Sequence, residues 1–234
     1  MNGKIYGVAI GPGDPDLITL KALKTLKESD IIFFPGSIMN GKKKSHSLNI
    51  LNHYNLDSYK LKGIYLPMNF DRSLVEKEYD NCFNQIVEYY QQGLTISFVS
   101  EGDIMFFSTF SYILNKIKET KLNVEIIPGV PAFISAGSIG KFPICLQFDK
   151  VLIVPALKDT NKLKKLIVAN ETVIVMKLST LKNDIVNFLK EEKPNFFYGE
   201  NLGTEKEFTT TEVEKLINRK IPYFSILILN KYIN

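Results

Sequence analysis

Three short glycine-containing stretches of this sequence each follow an apolar run, and a ligand could reach the backbone at each of them. They read GPGDPD at residues 11–16, EGD at 101–103 and PGVPA at 128–132. Glycine permits turns that other residues disfavour and lets main-chain amides and carbonyls come close to a ligand. Asp14 and Asp103 do not suit a bare phosphate, so these loops favour a cationic or hydroxyl-rich ligand.

The first stretch nearly matches the dinucleotide fingerprint G-x-G-x-x-G, but both supporting features of that fingerprint are missing. Asp16 stands where a third glycine would let the helix pack closely on the strand. The next apolar run, residues 31–34, is followed by Pro35 and Gly36 instead of an acidic residue for a ribose hydroxyl. These differences disfavour a nicotinamide or flavin site. A tight strand-to-helix turn without a ligand is the structural alternative.

Few side chains are arranged for acid–base or nucleophilic chemistry. The sequence shows no Ser-His-Asp or paired-carboxylate pattern. Asp103 is the candidate catalytic base, although an aspartate in a turn also stabilises it by accepting a backbone hydrogen bond. His46 and His53 could accept a proton or ligate a metal carried by a substrate, and exposed or capping histidines are the alternative. We expect no metal site belonging to the protein itself.

Composition argues against several classes of function. The chain has 234 residues, a net charge of +4, and no apolar run near the roughly 20 residues that span a membrane. The lysines at 42–44 and 162–165 are not interleaved with aromatic residues, so we expect solvated faces and no nucleic-acid partner. Cys82 and Cys145 fit no metal spacing, which predicts buried free thiols in a cytoplasmic protein.

Apolar periodicity predicts alternating strands and helices around the glycine loops. The helix-like segments are residues 17–27, 73–92, 108–118 and 181–190. The strand-like segments are residues 5–10, 31–34, 63–67, 95–100, 124–127, 151–154, 172–177, 195–199 and 223–229. This alternation predicts parallel sheets covered on both faces. Because parallel strands end at the same edge of a sheet, the three loops should meet there.

The length of the chain suits one large domain or two smaller ones. The polar segment 116–123 is the best hinge candidate, and it interrupts the alternation between a helix-like and a strand-like segment. We therefore expect an α/β protein with two α/β domains, covering residues 1–118 and 119–234. The sequence contains no internal repeat of the length that is typical of solenoid proteins.

Three longer segments resemble the signatures of the tetrapyrrole methyltransferase family. They are YGVAIGPGDPDLITLKALKTLKESDIIFFPGS from residue 6, SEGDIMFFSTFSYI from residue 100 and EIIPGVPAFISAG from residue 125. The later segments VLIVPA, VIVMKL and PYFSILIL also fit, so the resemblance covers most of the chain. It implies a homodimer of two α/β domains with S-adenosyl-L-methionine in the cleft between them, the N-terminal domain on the tetrapyrrole side and the C-terminal domain completing the cofactor site.

The same resemblance implies which residues contact the cofactor. Pro12 would line the cleft, and Glu101, Gly102 and Asp103 match a Gly-Gly-Asp turn whose backbone holds the methionine portion. Met176 would flank the adenosine, and Gly203 and Thr204 would lie near the adenine. The other positions that match the family by residue type are Ser108, Thr109, Pro131 and Ala132.

Two positions depart from the family pattern. Ile104 replaces the proline that usually follows Gly-Asp, and Pro131 stands where threonine or serine is usual. A backbone contact tolerates the first change, whereas the second removes a side-chain hydrogen bond. Lys42–Lys44 and His46 could meet the carboxylates of a tetrapyrrole as a solvated electrostatic rim.

The segments FPGS and MFFSTF are most similar to the branch of the family that methylates C20 of precorrin-2 or its cobalt form. This implies methyl transfer from S-adenosyl-L-methionine, with S-adenosyl-L-homocysteine as product, in cobalamin biosynthesis. Because a sulfonium methyl is already activated, transfer needs placement and exclusion of water more than a nucleophilic side chain. A transferase of the same fold acting at another ring carbon or on a diphthine precursor is one alternative. A non-catalytic or dehydrogenase-like nucleotide-binding module is the other.

Overall fold

The computed structural model describes residues 2–67, 72–181 and 184–233, with the side chains of residues 67, 72 and 73 excepted. The chain divides into two compact units, Met1–Pro131 and Ala132–Asn234, which we call the N-terminal and C-terminal units. Each unit contains its own sheet and its own helices. The architecture is therefore α/β in both units.

Six strands form the sheet of the N-terminal unit. They are β1 (Lys4–Ala9), β2 (Ile31–Met39), β3 (Lys42–Lys44), β4 (Leu61–Pro67), β5 (Thr95–Ser100) and β6 (Val124–Ile127). The order is β3-β2-β5-β1-β6, and β4 also pairs with β2. Every pairing is parallel except that of β2 with β3, which form an antiparallel hairpin.

The helices of this unit are α1 (Leu20–Glu28), α2 (His46–Leu51), α3 (Arg72–Gln91) and α4 (Phe110–Glu119). Alternate strand residues face two separate apolar clusters. Phe33, Phe98 and Phe110 belong to one cluster with α3 and α4, and Ile32 and Phe34 belong to the other with α1 and α2. Both faces of the sheet are therefore covered, as expected for buried parallel strands.

Five strands and three helices form the C-terminal unit. The strands are β7 (Val151–Val154), β8 (Thr172–Met176), β9 (Phe196–Glu200), β10 (Phe208–Thr210) and β11 (Ser225–Asn230), in the order β10-β9-β11-β8-β7. The helices are α5 (Ala132–Gly140), α6 (Thr160–Ala169) and α7 (Asp184–Glu192). Of the pairings described in this second sheet, that of β7 with β8 is parallel and the other three are antiparallel, so the prediction of a parallel sheet is wrong here. The reason is that β11 runs antiparallel to both of its neighbours, β8 and β9.

The structure refines three other expectations. The helix expected from residue 17 begins at Leu20, because Thr19 accepts a hydrogen bond from the Ala22 amide and caps it there. The chain divides after Pro131 and not after residue 118, because β6 pairs with β1 and so belongs to the first sheet. Strands β3 and β10 are additional to the nine strand-like segments.

Within the described ranges, no helix is long and apolar enough to cross a membrane. Across those same residues, no group of three or more His, Cys, Asp or Glu side chains is placed to hold a metal ion.

The two cysteines have different environments, which corrects the expectation that both are buried. Cys82 is buried on α3, whereas Cys145 is exposed. Burial raises the pKa of the Cys82 thiol, so the reactive thiolate is suppressed there.

We expect the native protein to show one rapidly reacting thiol at pH 8 and the denatured protein to show two. The measurement is the time course of reaction with a chromogenic disulfide reagent, with and without denaturant. The Cys145→Ser variant should lose the rapid reaction entirely. Equal rates at both cysteines of the native protein would contradict the packing of α3.

Candidate functional site

The three glycine loops leave neighbouring strands at one edge of the N-terminal sheet. The first follows β1, the second follows β5 and the third follows β6, and β1 lies between the other two. All three strands are parallel, so their carboxyl ends lie together, as predicted from the sequence. The Gly102 amide donates to the Gly11 carbonyl at 2.7 Å, which joins the first two loops through their backbones.

The Asp103 carboxylate joins the second loop to the third. One oxygen, Oδ1, accepts a hydrogen bond from the Met105 amide at 2.8 Å, and the other, Oδ2, accepts from the Gly129 amide at 2.8 Å. A carboxylate that accepts backbone hydrogen bonds with both oxygens fixes the relative position of two chain segments. The hydrogen bond with the Met105 amide is the turn-stabilising contact considered for Asp103 from the sequence. The contact with the Gly129 amide was not predicted.

Three glycines make this close approach possible. Gly11 and Gly102 have φ values of +79° and +65°, in the left-handed region that other residues rarely adopt. A Cβ atom on Gly129 would lie 2.6 Å from the Ala9 side chain and 2.8 Å from the Gly102 carbonyl oxygen. The loops are therefore packed against one another through main-chain atoms, and a larger side chain at 129 would separate them.

Glu101 and Ser108 are held by hydroxyl groups. The buried Ser47 hydroxyl, on α2, donates to Oε1 of Glu101. The Ser108 hydroxyl donates to the Ser100 hydroxyl at 2.8 Å and accepts from the Phe110 amide at 3.1 Å. Sequence reasoning missed Ser47, which lies 54 residues before Glu101 and has no signal in the sequence other than its position after the helix cap Ser45.

The other predicted contacts of the N-terminal unit lie on the same loops. Pro12 is buried in the first loop, and Thr109 is exposed immediately before α4. Burial raises the pKa of Tyr79, on α3, to about 12. Pro131 is half-buried at the end of the third loop. The structure therefore brings the loops that carry these residues to one edge.

The four remaining predicted contacts lie in the C-terminal unit. Ala132 is the first residue of α5. Met176 ends β8, and Gly203 and Thr204 follow β9, which runs parallel to β8 because both are antiparallel to β11. These three residues therefore lie at one edge of the second sheet. The Gly203 amide donates to Oε2 of Glu207 at 2.7 Å, and the Thr204 hydroxyl donates to the Asn201 carbonyl at 2.7 Å.

A buried carboxylate that the sequence analysis missed precedes this turn. Glu200, at the end of β9, accepts a hydrogen bond from the Tyr198 hydroxyl, and its other oxygen lies 2.6 Å from the Arg219 guanidinium. The Arg219 guanidinium also lies 3.5 Å from the centre of the Phe208 ring. Burial, together with Glu200, raises the pKa of Tyr198, so its hydroxyl stays protonated as a donor. This cluster fixes the end of β9 from which the 201–204 turn departs.

The two histidines lie outside the joined loops. His46 is half-buried at the first position of α2, and His53 is exposed in the turn that follows this helix. The placement of His53 is the exposed alternative considered in the sequence analysis. Asp14 accepts a hydrogen bond from the Asp16 amide at 2.9 Å and stabilises the turn before α1.

The groups at the joined loops can be compared with those of S-adenosyl-L-methionine, the cofactor that the resemblance implies. Each joined loop contains a glycine, which has no side chain to cover the neighbouring main-chain groups. Glu101 adds a carboxylate beside Gly102 that could accept hydrogen bonds from an amine or a hydroxyl. This donor set fits a zwitterionic, hydroxyl-bearing cofactor better than a pyrophosphate.

The family model for Tetrapyrrole (Corrin/Porphyrin) Methylases matches residues 4–217. A probable cobalt-precorrin-2 C(20)-methyltransferase of Methanocaldococcus jannaschii is 30% identical over 231 residues, which are 99% of this chain and 94% of that protein. A cobalt-precorrin-2 C(20)-methyltransferase of Salmonella typhimurium is 26% identical over 178 residues, which are 76% of this chain and 74% of that protein.

Solved structures agree on the fold. A cobalt precorrin-4 methyltransferase described as a cobalamin biosynthetic enzyme matches with a TM-score of 0.76 and 17% identity, over 99% of this chain and 96% of that one. A uroporphyrin-III C-methyl transferase from Thermus thermophilus, complexed with S-adenyl homocysteine, matches with a TM-score of 0.65 and 18% identity, over 98% of each chain. The extent of the family match, together with the full-length relative, shows that this chain belongs to the tetrapyrrole (corrin/porphyrin) methylase family.

Proposed function

We propose that this protein is an S-adenosyl-L-methionine-dependent methyltransferase that adds a methyl group to C20 of precorrin-2 or of its cobalt form in cobalamin biosynthesis. The observation that carries the proposal is the similarity to a C(20)-methyltransferase over 99% of the chain. The joined loops at the carboxyl edge of the first sheet support it, because they suit the cofactor by their main-chain donors and acceptors. The reaction takes place in the cytoplasm, where free thiols persist.

The cofactor contacts in this proposal follow the predicted residues. The backbone of Glu101, Gly102 and Asp103 binds the methionine portion. The adenosine contacts Met176, and its adenine lies near Gly203 and Thr204. The other contacts are Pro12, Ser108, Thr109, Pro131 and Ala132. The φ of +74° at Gly203 and the hydrogen bond from the Thr204 hydroxyl to the Asn201 carbonyl fix the shape of the backbone there.

The proposed chemistry depends on placement. When bound, S-adenosyl-L-methionine supplies a sulfonium methyl group that is already activated toward a carbon nucleophile. The protein must hold that methyl in line with an electron-rich meso carbon and exclude water. The proton that leaves the methylated carbon is acidic, because the ring is then cationic, so water or a substrate carboxylate can accept it.

Asp103 has a positioning role in this proposal. Both of its carboxylate oxygens already accept hydrogen bonds from backbone amides, at 2.8 Å each. A general base needs an oxygen within hydrogen-bond reach of the substrate proton. The two amide contacts support the view that this carboxylate holds the second and third loops together while the backbone binds the cofactor.

The proposal also includes a homodimer, with a tetrapyrrole as the small-molecule partner. Two-fold dimers are the commonest assemblies of soluble enzymes. Tyr59 and Leu74 of the N-terminal unit are 72% and 42% exposed, and a dimer interface that covered them would remove apolar surface from water.

The test of the proposed reaction is incubation with precorrin-2 and, separately, with its cobalt complex, together with S-adenosyl-L-methionine. We expect one added methyl by mass and a C20 position by NMR. Turnover of one form over the other decides whether the substrate carries cobalt. A methyl at another ring carbon would identify a different branch of the family, and methylation of a diphthine precursor in its place would contradict the proposal.

Cofactor identity is tested by thermal unfolding. S-adenosyl-L-homocysteine at 100 times its dissociation constant should stabilise the folded protein by about 2.7 kcal/mol, because it binds only the folded state. NAD at the same concentration should leave the unfolding temperature unchanged. The opposite pattern would favour the dehydrogenase-like alternative.

We expect Asp103→Asn to weaken S-adenosyl-L-homocysteine binding by about 10- to 100-fold. The asparagine side chain can pair with only one of the two backbone amides, so the loops separate in the free protein, and binding must restore their position at a cost of ~1–3 kcal/mol. The measurements are calorimetric titration and single-turnover rate with both ligands saturating. Asp159→Asn is the matched control, since Asp159 accepts from the Asn161 amide at 2.8 Å in a similar turn of the C-terminal unit. A chemical step slowed more than about a thousandfold with unchanged binding would instead make Asp103 the base.

Sedimentation velocity tests the assembly. We expect a dimer of the 26.6 kDa chain at micromolar concentration. A single species with the mass of one chain would rule the dimer out and would leave the reaction itself to be judged by the product analysis.

A further inference from the structure

The hairpin of β2 and β3 places three consecutive lysines beyond the carboxyl end of β5. β3 pairs with the end of β2, so that Lys44 lies opposite Ser37 and Lys42 opposite Met39. β4 pairs with residues 32–38 of β2. This range overlaps the residues of β2 that pair with β5, 31–33, and those that pair with β3, 37–39. Because a strand has only two edges, β3 and β5 share the edge of β2 opposite β4. β3 therefore continues the line of β5, where the second glycine loop begins.

Register decides which face of the sheet each lysine occupies. The Lys43 ammonium lies 4.8 Å from the centre of the Tyr65 ring, on the face covered by α1 and α2. Side chains alternate along a strand, so Lys42 and Lys44 project from the opposite face. That is the face of Phe33 and Phe98, against which Ile104 packs from the second glycine loop.

Large apolar side chains are exposed on the same face and in the same loop. Met39, paired with Lys42, is 44% exposed, and Met105 and Phe107 are 58% and 44% exposed. Phe107 has a φ of +50°, a conformation that bulky residues rarely adopt. The Phe106 and Phe107 rings meet edge to face at 4.6 Å, and the turn is closed by the Asp103 carboxylate. The apolar side chains are thus presented to solvent by a turn that is held in a strained form.

Lys42 and Lys44 of this surface have no ion pair with any residue that the structure describes, whereas Lys21, Lys116 and Lys164 each have one. Both lysines are exposed. Exposed apolar side chains at the same end of the sheet as two exposed lysines suit a ligand with a flat apolar body and anionic substituents.

We propose that the surface formed by Met39, Lys42, Lys44, Met105 and Phe107, here called the hairpin surface, binds the tetrapyrrole substrate. The apolar side chains contact the macrocycle, and the Lys42 and Lys44 ammonium groups bind carboxylates on its rim. This inference rests on the proposed function and assigns substrate-binding residues to it. Lysines on an edge strand can instead prevent its backbone from pairing with a strand of another chain. That role predicts a change in oligomeric state, without loss of binding, when the lysines are replaced.

The test is fluorescence titration with uroporphyrin III, a stable macrocycle with eight carboxylates, at several salt concentrations. We expect Lys42→Glu/Lys44→Glu to weaken uroporphyrin binding at least about tenfold at low salt, because two attractive contacts become repulsive. The dependence of affinity on salt should also decrease. The control is Lys162→Glu/Lys165→Glu, which makes the same change in net charge on exposed residues of α6.

A second pair of variants tests the apolar part. Phe107→Asn removes the ring while keeping a residue that tolerates positive φ, and we expect weaker uroporphyrin binding with an unchanged salt dependence. Phe107→Tyr should bind as the original protein does. Binding of S-adenosyl-L-homocysteine should change less than about twofold in all of these variants, which also shows that they fold.

The outcomes separate this inference from the proposed function. Lys42→Glu/Lys44→Glu is the hairpin variant and Lys162→Glu/Lys165→Glu is its control. Equal uroporphyrin affinity in these two variants would overturn the inference even if the enzyme methylates C20. A change in oligomeric state alone, without loss of uroporphyrin binding, would assign the lysines to edge protection and overturn it too. Absence of uroporphyrin binding by the original protein would have the same meaning. Methylation at another ring carbon, with weakened binding in the hairpin variant, would sustain the inference and contradict only the proposed position of transfer.

Discussion

The contact between the Asp103 carboxylate and the Gly129 amide is the constraint on which the candidate site depends. It joins loops that follow β5 and β6, two strands that do not touch each other, because β1 lies between them. The Gly102 amide closes the remaining gap by donating to the Gly11 carbonyl. One charged and one neutral hydrogen bond therefore fix three chain segments that are distant in sequence. In the function that we propose, a sulfonium cofactor bound by main-chain atoms needs this fixed geometry, because the protein contributes to the transfer mainly by placement.

Much of the first unit could be predicted because local sequence and tertiary structure agree there. The apolar runs before the three glycine loops are parallel strands, of which β1 and β5 are largely buried, and parallel strands bring the loops that follow them to one edge. The pairing of the Asp103 carboxylate with the Gly129 amide was not predictable, because a hydrogen bond across 26 residues to a backbone amide leaves no pattern in the sequence. The hydrogen bond from the Ser47 hydroxyl to the Glu101 carboxylate, across 54 residues, also leaves no pattern in the sequence.

The less predictable parts are those where tertiary pairing overrides local preference. Three lysines in succession disfavour a strand, yet β3 forms because the turn at Asn40 and Gly41 folds it back on β2. In the C-terminal unit the direction of the central strand cannot be read from its apolar residues, since β11 would be equally buried whether parallel or antiparallel to β8. The boundary after Pro131 depends on β6 joining β1, which a polar segment at 116–123 conceals.

The central claim is that main-chain groups of the three joined loops bind the methyl donor. Amide hydrogen exchange followed residue by residue, with and without S-adenosyl-L-homocysteine, tests this most directly. The account predicts slower exchange on ligand addition at residues 101–103 and at Gly129 and Val130, with smaller changes at the 201–204 turn and none on addition of NAD. Protection confined to other parts of the chain, with the 101–103 amides exchanging as in the free protein, would contradict it.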